Sequence, residues 1–547
     1  MLDRALRPLA LASRPVASSF PRPGWVEHDA DELLASVLGA VADAIGQAGA
    51  TWADVAGIGL AAQTETFVVW ERGSGRPVYP AISWRDGRAA GRCDELRRAG
   101  HEPEIRERTG LPLQPAFSAA KLGWLLGSVP GARRRAAAGE LLFGDVNSWL
   151  TWNLSGGRVH VTEPSMAART MLFNLAASAW DPALLDLFGV PAAMLPSVTG
   201  TAGRLAVTDP RACGGRAVIG ASVGDQQAAL YGQRCWSEGM AKLTLGTGAF
   251  LWCHAGPAPP AQVPAGVVAS CAWQLEEGRP AEGGRAGGAG RAGRGGRAGR
   301  GGRAGQGGRA GQGGRAGQGG RAGGAGRAAG RGGRAGQETA YALEGFVPNA
   351  GGITTWLRQL GVLADGGWPV IRGGAIAAAA RRGPAGGMWC VPALFGLGTP
   401  RWDAAPRADL TGLTAATTAA DVAEAALLGV AYQIADAIDA VGLGITGPLR
   451  AVRTDGGMSR NDSLLQAIAD LTGITLERPV ADEVTALGAG ALAGLGTGLW
   501  DLAALRDIPF ETGDVIRPAL PAADRAAARQ AWQAVLARSV AQGSPQP

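Results

Sequence analysis

Hydrophobic positions along this chain recur with two periods, and stretches of the two alternate. After Asp29, the residues Leu33, Leu34, Val37, Leu38, Val41 and Ile45 repeat at three- and four-residue intervals. They define one face of a helix that Asp29 can cap and that runs to about Gly46. Residues 57–62 and 66–70 are short, dense apolar runs and predict strands, with the polar Gln63-Thr64-Glu65 between them. Gly73, Ser74 and Gly75 mark the next turn. The alternation continues: a strand over 217–222, the polar Gly224-Asp225-Gln226-Gln227, then a helical run. Residues 239–245 and 249–253 form a hairpin pattern around Gly246-Thr247-Gly248. Further on, a long amphipathic helix over 421–441 precedes a strand over 449–454, a helix over 461–471, a strand over 475–479 and a helix over 483–495. Strands alternating with helices predict an α/β fold.

One tract breaks the pattern. Residues 279–337 are almost wholly Gly, Arg, Ala and Gln, with near-perfect GGRAGQ hexads over 301–324. With almost nothing to bury, such a tract is expected to be a disordered insertion at a hairpin tip, between Ala272-Trp273-Gln274-Leu275 and the strand resuming near Thr339. It also distorts the charge balance. The chain of 547 residues carries +6, but twelve arginines and no acid lie within 283–337, so the remainder carries −6. Charge therefore gives no reason to expect nucleic acid, except weakly through the Arg/Gly tract. Apolar residues make up 46% of the chain, enough for a large core, and the length suits two large domains. Six scattered cysteines without C-x-x-C spacing are expected to be buried or inert thiols in a reducing cytoplasm. Arg4, Arg7 and Arg14 interrupt the opening apolar runs, which reads against a signal peptide. The apolar stretch 485–500 is short and Gly-rich, a core helix rather than a membrane span.

Candidate chemistry sits at the polar breaks. Gly246-Thr247-Gly248, Gly351-Gly352 and Gly456-Gly457 are glycine turns in which backbone can approach a phosphate or a nucleotide ring, or simply turn. Asp225, just past a strand, can accept a proton from a hydroxyl, hold a metal's water shell, or cap the helix that follows. Glu65 between two strands is equally open, and Trp84 can be core or an aromatic wall for a sugar-like ligand.

In order, Pro23-Gly24-Trp25-Val26-Glu27-His28-Asp29, Gln63-Thr64-Glu65, Ser83-Trp84-Arg85-Asp86 and Ala168-Arg169-Thr170-Met171-Leu172-Phe173-Asn174 resemble segments of the FGGY family of carbohydrate kinases. So do Gly224-Asp225-Gln226-Gln227, Gly246-Thr247-Gly248, Tyr341-Ala342-Leu343-Glu344-Gly345, Asp455-Gly456-Gly457 and Glu483-Val484-Thr485-Ala486-Leu487-Gly488. The resemblance runs from about Leu9 to Leu505 and is greatest to members that act on glycerol. It implies two actin-like (ribonuclease-H-like) α/β domains flanking a cleft. The expected bounds are 1–233 for a substrate domain, 234–510 for a nucleotide domain and 511–547 for an extension. It implies an ATP-dependent kinase of a small polyol, glycerol first, with another polyol or a ketose as the alternative. Asp225 would be the base and would hold Mg²⁺ through water. Thr64, Glu65, Trp84, Pro164, Gln226 and Phe250 would line the substrate. Thr247, Gly248, Gly351, Thr355, Gly457 and Asn461 would meet ATP. A homo-oligomer, dimer or tetramer, is expected by the same resemblance.

Two departures and one smaller resemblance matter. In the family a strand and an Asp-x-Gly-Thr-Thr hairpin, which binds ATP phosphates and magnesium, precede the segment that Met1-Leu2-Asp3-Arg4 resembles. Either a reading frame beginning further upstream supplies the hairpin, or this is an impaired kinase-fold protein that binds ligand without turnover. Thr64 and Pro164 stand where glycerol-specific members have Arg and Tyr, so the pocket is expected to be larger or differently polar. Gly214-Gly215-Arg216 has the spacing of a sugar-bisphosphate regulatory turn, and also of an ordinary surface turn.

Overall fold

The computed structural model describes residues 1–276, 337–383, 387–481 and 483–543. The Gly/Arg tract and the expectation attached to it lie outside the described residues.

The alternation resolves into one long sheet covered by helices. In spatial order its ten strands are Ile58–Ala62, Val218–Gly224, Ala202–Val207, Val268–Glu276, Gln337–Val347, Ala249–Gly256, Met240–Leu245, Ala451–Asp455, Leu476–Pro479 and Thr512–Ile516. Two parts of different character meet in it. Ile58–Ala62 lies parallel to Val218–Gly224, and Met240–Leu245 parallel to Ala451–Asp455, each pair joined through helices. Between them run antiparallel pairs, with Gln337–Val347 lying between Val268–Glu276 and Ala249–Gly256 and the latter beside Met240–Leu245. A separate four-stranded sheet in the first half holds Glu27–His28, Ala81–Ile82, Phe67–Glu71 and Leu141–Asp145. The predicted strands and helices are present, with ends displaced by a few residues.

Local chemistry explains the helix ends. Asp29 accepts the N–H groups of Asp31 and Glu32 and caps Ala30–Gln47. Thr418 and Asp421 form a capping box ahead of Ala419–Gly442, a helix apolar enough to span a membrane but 89% buried within the fold. It packs among the strands of the second half in the largest core cluster, with Val430, Ile434 and Ile438 at its centre. Phe67, Phe143, Leu122 and Leu125 anchor the core of the first half.

The Gly-rich helix Val484–Thr497 returns from the second half and lies on Ile58–Ala62 and Val218–Gly224. Its small residues allow the approach. A Cβ on Gly220 would meet the Ala493 carbonyl at 2.6 Å, and one on Gly488 would collide with the Ala228 carbonyl. Ala228 belongs to the helix Asp225–Gly232, so backbone-to-backbone contact seats the helix that begins with Asp225.

Candidate active site

Asp225 is the first residue of the helix Asp225–Gly232, directly after the strand Val218–Gly224. Gly224, not Asp225, is the N-cap, and the carboxylate Oδ1 accepts the adjacent Gln226 N–H at 2.8 Å. Asp225 is half-buried, and burial pushes its carboxyl above the usual carboxylate range, against the pull of the Lys242 ammonium. The buried Lys242 donates to Gln226 Oε1 and to Thr244 Oγ1, the latter at 2.6 Å. Its own pKa falls through burial, while Asp455, Asp225 and Glu344 favour its charge.

Glu65 lies between the strands Ile58–Ala62 and Phe67–Glu71 with a left-handed backbone, φ 64°. Its Oε1 accepts Arg169 Nε at 2.6 Å and its Oε2 the Thr64 hydroxyl at 2.7 Å. Arg169 also pairs with Glu344 at 2.8 Å, so one buried guanidinium joins a carboxylate of the first half to one on the strand Gln337–Val347. Burial disfavours the charge of Arg169, and the two carboxylates more than offset it and raise its pKa. The Thr64 side chain packs on Gly224: a Cβ there would meet its methyl at 2.7 Å. Thr64, Glu65, Asp225 and Gln226 are thus brought together. Pro164 opens the short helix Pro164–Ala167, and the neighbouring Ser165 hydroxyl accepts the Gly224 N–H at 2.9 Å.

Trp84 is half-buried on a braced loop. Its N–H donates to Thr66 Oγ1 at 3.0 Å, and the buried Lys121 donates to the Ser83 carbonyl at 2.8 Å. Arg88 locks the same loop through Glu27 at 2.7 Å and Asp86 at 2.8 Å, with its guanidinium under the Trp25 ring. Phe250 stands opposite Thr244 and packs on Phe346, their ring centroids 4.9 Å apart.

The three glycine turns converge. Gly351 N–H donates to the Gly246 carbonyl at 2.8 Å, and Ala350 N–H to the Thr247 carbonyl at 2.8 Å. Gly456, at φ 85°, lies so near Leu245 that a Cβ would meet its carbonyl at 2.7 Å, whereas a Cβ on Gly457 would meet nothing within 4 Å. Gly248 touches the Val347 carbonyl in the same way, at 2.9 Å. Thr355 is exposed on the helix Gly352–Gln359. Asn461 caps the helix Asp462–Thr472 and donates to the Pro369 carbonyl at 2.9 Å, so much of its amide is committed to structure. Away from this cleft, the Trp52 ring packs over Gly215 and Arg216 is exposed.

The ends of the parallel strands therefore present a half-buried carboxylate, a charged polar cluster and a cradle of backbone turns. The N-terminal domain of the FGGY family of carbohydrate kinases matches residues 1–232, and its C-terminal domain matches residues 326–497. The glycerol kinase of Halorhodospira halophila is 37% identical over 543 residues, covering 99% of this chain and 94% of that one. That of Citrifermentans bemidjiense is 40% identical over 498 residues, covering 91% and 87%. Among solved structures, Plasmodium falciparum glycerol kinase with ADP aligns with a TM-score of 0.78 at 24% identity, over 98% of this chain and 95% of that one. A ligand-bound xylulose kinase from Lactobacillus acidophilus aligns with a TM-score of 0.72 at 19% identity, over 97% and 93%. The fold is accordingly the two-domain, actin-like α/β architecture of sugar kinases. The chain belongs to the FGGY family of carbohydrate kinases and is an ATP-dependent phosphotransferase.

Lys242, Arg169 and Glu344 carry the electrostatics of the site and were not assigned roles from the sequence. One signal was there to read: Lys242 is the lone charge in the apolar run Met240–Leu245, and a buried lysine requires partners.

Proposed function

We propose that this chain transfers the terminal phosphoryl group of ATP to a hydroxyl of glycerol, giving glycerol 3-phosphate and ADP. The observation that carries the reading is the position of Asp225, a carboxylate of raised pKa at a helix N-terminus, beside the Glu65–Thr64 pair and the Lys242–Gln226 pair. The relatives named above, glycerol kinases at 37% and 40% identity, support the choice of acceptor.

In this reading the glycerol hydroxyl lies against Asp225 and loses its proton to the carboxylate as its oxygen bonds to the γ-phosphorus. The bond from that phosphorus to the β,γ-bridging oxygen breaks, and ADP leaves. A carboxyl raised by burial is a better base than a free one, and Lys242 opposes part of that rise. Glu65 and Gln226 accept or donate to the other hydroxyls, and Trp84 and Phe250 face the carbon chain. Thr64 and Pro164 close the same side. Thr247, Gly248, Gly351 and Gly457 offer backbone to the phosphates and the nucleoside, with Asn461 and Thr355 at the rim. Arg169 bridges Glu65 and Glu344 across the two halves and offsets part of their mutual repulsion, which lowers the cost of excluding water on closure.

Among the described residues no cluster of three or more ligating side chains exists. That suits Mg²⁺, which keeps water and phosphate oxygens and takes only one or two carboxylates. Asp225 is the carboxylate available to it, through water, and the ion would neutralise charge on the phosphates.

The test is ATP-coupled turnover by the full chain across glycerol, erythritol, xylitol and ketopentoses, with and without magnesium. Glycerol is expected to give the highest kcat/KM, and chelation to abolish the activity. A higher value with a ketopentose would overturn the acceptor assignment.

A further inference from the structure

The Glu163 carboxylate takes no part in the chemistry above, yet it is completely enclosed and its hydrogen bonds have forced directions. It caps the short helix Pro164–Ala167, accepting the N–H groups of Ser165 at 3.0 Å and Met166 at 2.8 Å. It also accepts the hydroxyls of Ser165 and Thr201, the latter at 2.7 Å. Both hydroxyls already accept a backbone N–H: Ser165 from Gly224 and Thr201 from Gln274, each at 2.9 Å. Each hydroxyl keeps its own hydrogen free to donate, and the ionised Glu163 can only accept, so both hydroxyls turn their hydrogens to it. Four donors converge on the ionised carboxylate, which accepts from each of them. Burial pushes its carboxyl up to about 7, and these hydrogen bonds oppose the shift.

One of the two hydroxyl routes ends at the catalytic turn. Gly224 is the residue that leads into Asp225, and its amide is held from one side by Ser165 while the Thr64 methyl closes another. The second route ends at Gln274, on the strand Val268–Glu276. Glu163 thus fixes the hydrogen-bonding sense of Ser165, and Ser165 fixes the peptide that aims the Asp225 carboxylate.

We infer that Glu163, acting through Ser165 and the Gly224 amide, is a positioning residue for Asp225. The inference rests on the reading of Asp225 as the base. It explains why a carboxylate with no path to substrate is buried beside the pocket wall at all.

Two hydroxyls on one carboxylate supply an internal control. Ser165→Ala cuts the route to Asp225, and Thr201→Val cuts the other. With full-length protein, kcat of Ser165→Ala is expected to fall by about tenfold or more while KM for glycerol and ATP moves by no more than about threefold. Thr201→Val is expected to lose thermal stability but to keep kcat within about threefold. Glu163→Gln should lower kcat as Ser165→Ala does, and the double variant should fall no further, since both cut one route. Should Glu163→Gln fail to fold, the Ser165 and Thr201 pair decides. An unchanged kcat in Ser165→Ala, or an equal loss in Thr201→Val, overturns the positioning role. Asp225→Asn run alongside separates the two claims. If it keeps full turnover, the base assignment fails; if it is inactive while Ser165→Ala is fully active, only the positioning inference fails.

Discussion

Asp225 works between opposed influences: burial and the nearby Glu65 raise its pKa, while Lys242 and the Gln226 N–H lower it, and the net direction is upward. With deprotonated Asp225 as the proposed base, the acid limb of kcat/KM against pH is expected to lie above the ordinary carboxylate range. A limb near that of a free aspartate would contradict the placement. Lys121 provides a test of stability instead. Burial, the main influence on it, lowers its pKa from 10.5 to about 7. Between those values the unfolded chain holds a proton that the native chain does not, so this group makes the protein more stable as pH rises. The slope is at most about 1.4 kcal/mol per pH unit. Lys121→Met removes it. The variant's deficit in denaturation midpoint should therefore be smallest near pH 7 and grow towards pH 9; a deficit that is flat in pH would contradict the burial of a discharged lysine. Neither residue's environment was legible in the sequence. Position 225 could be picked out because it follows a strand and stands among polar residues. Lys121 lies in the run Ser118–Ser128 with nothing to mark which carbonyls it would meet.

Helix seating is the next level, and there the sequence carried the signal but not its meaning. The run 484–497 reads as a core helix because it is apolar and uncharged, and it is one. What periodicity does not convey is why four of its fourteen residues are glycine. The structure answers at Gly488, where a Cβ would collide with the Ala228 carbonyl on the helix that starts with Asp225. Helices held at backbone contact cannot admit a side chain without parting. Gly488→Val is expected to cost about 1–3 kcal/mol or more by overpacking, read as a lower denaturation midpoint. It should also reduce kcat by displacing the Asp225–Gly232 helix. Normal stability together with normal turnover would contradict the close seating. The glycine turns at 246–248, 351 and 456–457 show the same limit. Each was visible as a turn, but their convergence depends on hydrogen bonds between segments a hundred residues apart, such as Gly351 to Gly246.

At the scale of the whole molecule, the α/β class and the family were legible because motif order survives over nearly the full chain. The continuous ten-stranded sheet was not, because the pairing of Ala202–Val207 with Val268–Glu276 is non-local and leaves no periodic trace. The hairpin at the Gly/Arg tract was legible. Val268–Glu276 and Gln337–Val347 pair out to Glu276 opposite Gln337. Replacing residues 277–336 by Asp-Gly, a two-residue turn suited to that register, is expected to leave kcat and KM unchanged within about twofold. A large loss of turnover would give the tract a part in catalysis. Residue, helix and sheet converge on the proposal that Asp225 meets an alcohol in the cleft of a sugar-kinase fold. The most direct measurement is transfer of the γ-phosphoryl of ATP to glycerol, with magnesium, by the full chain and by its Asp225→Asn variant, both checked for native folding. Glycerol 3-phosphate is expected from the native chain, with a loss of at least about a hundredfold in kcat with asparagine. No transfer by the native chain, or transfer that survives the substitution, would contradict it.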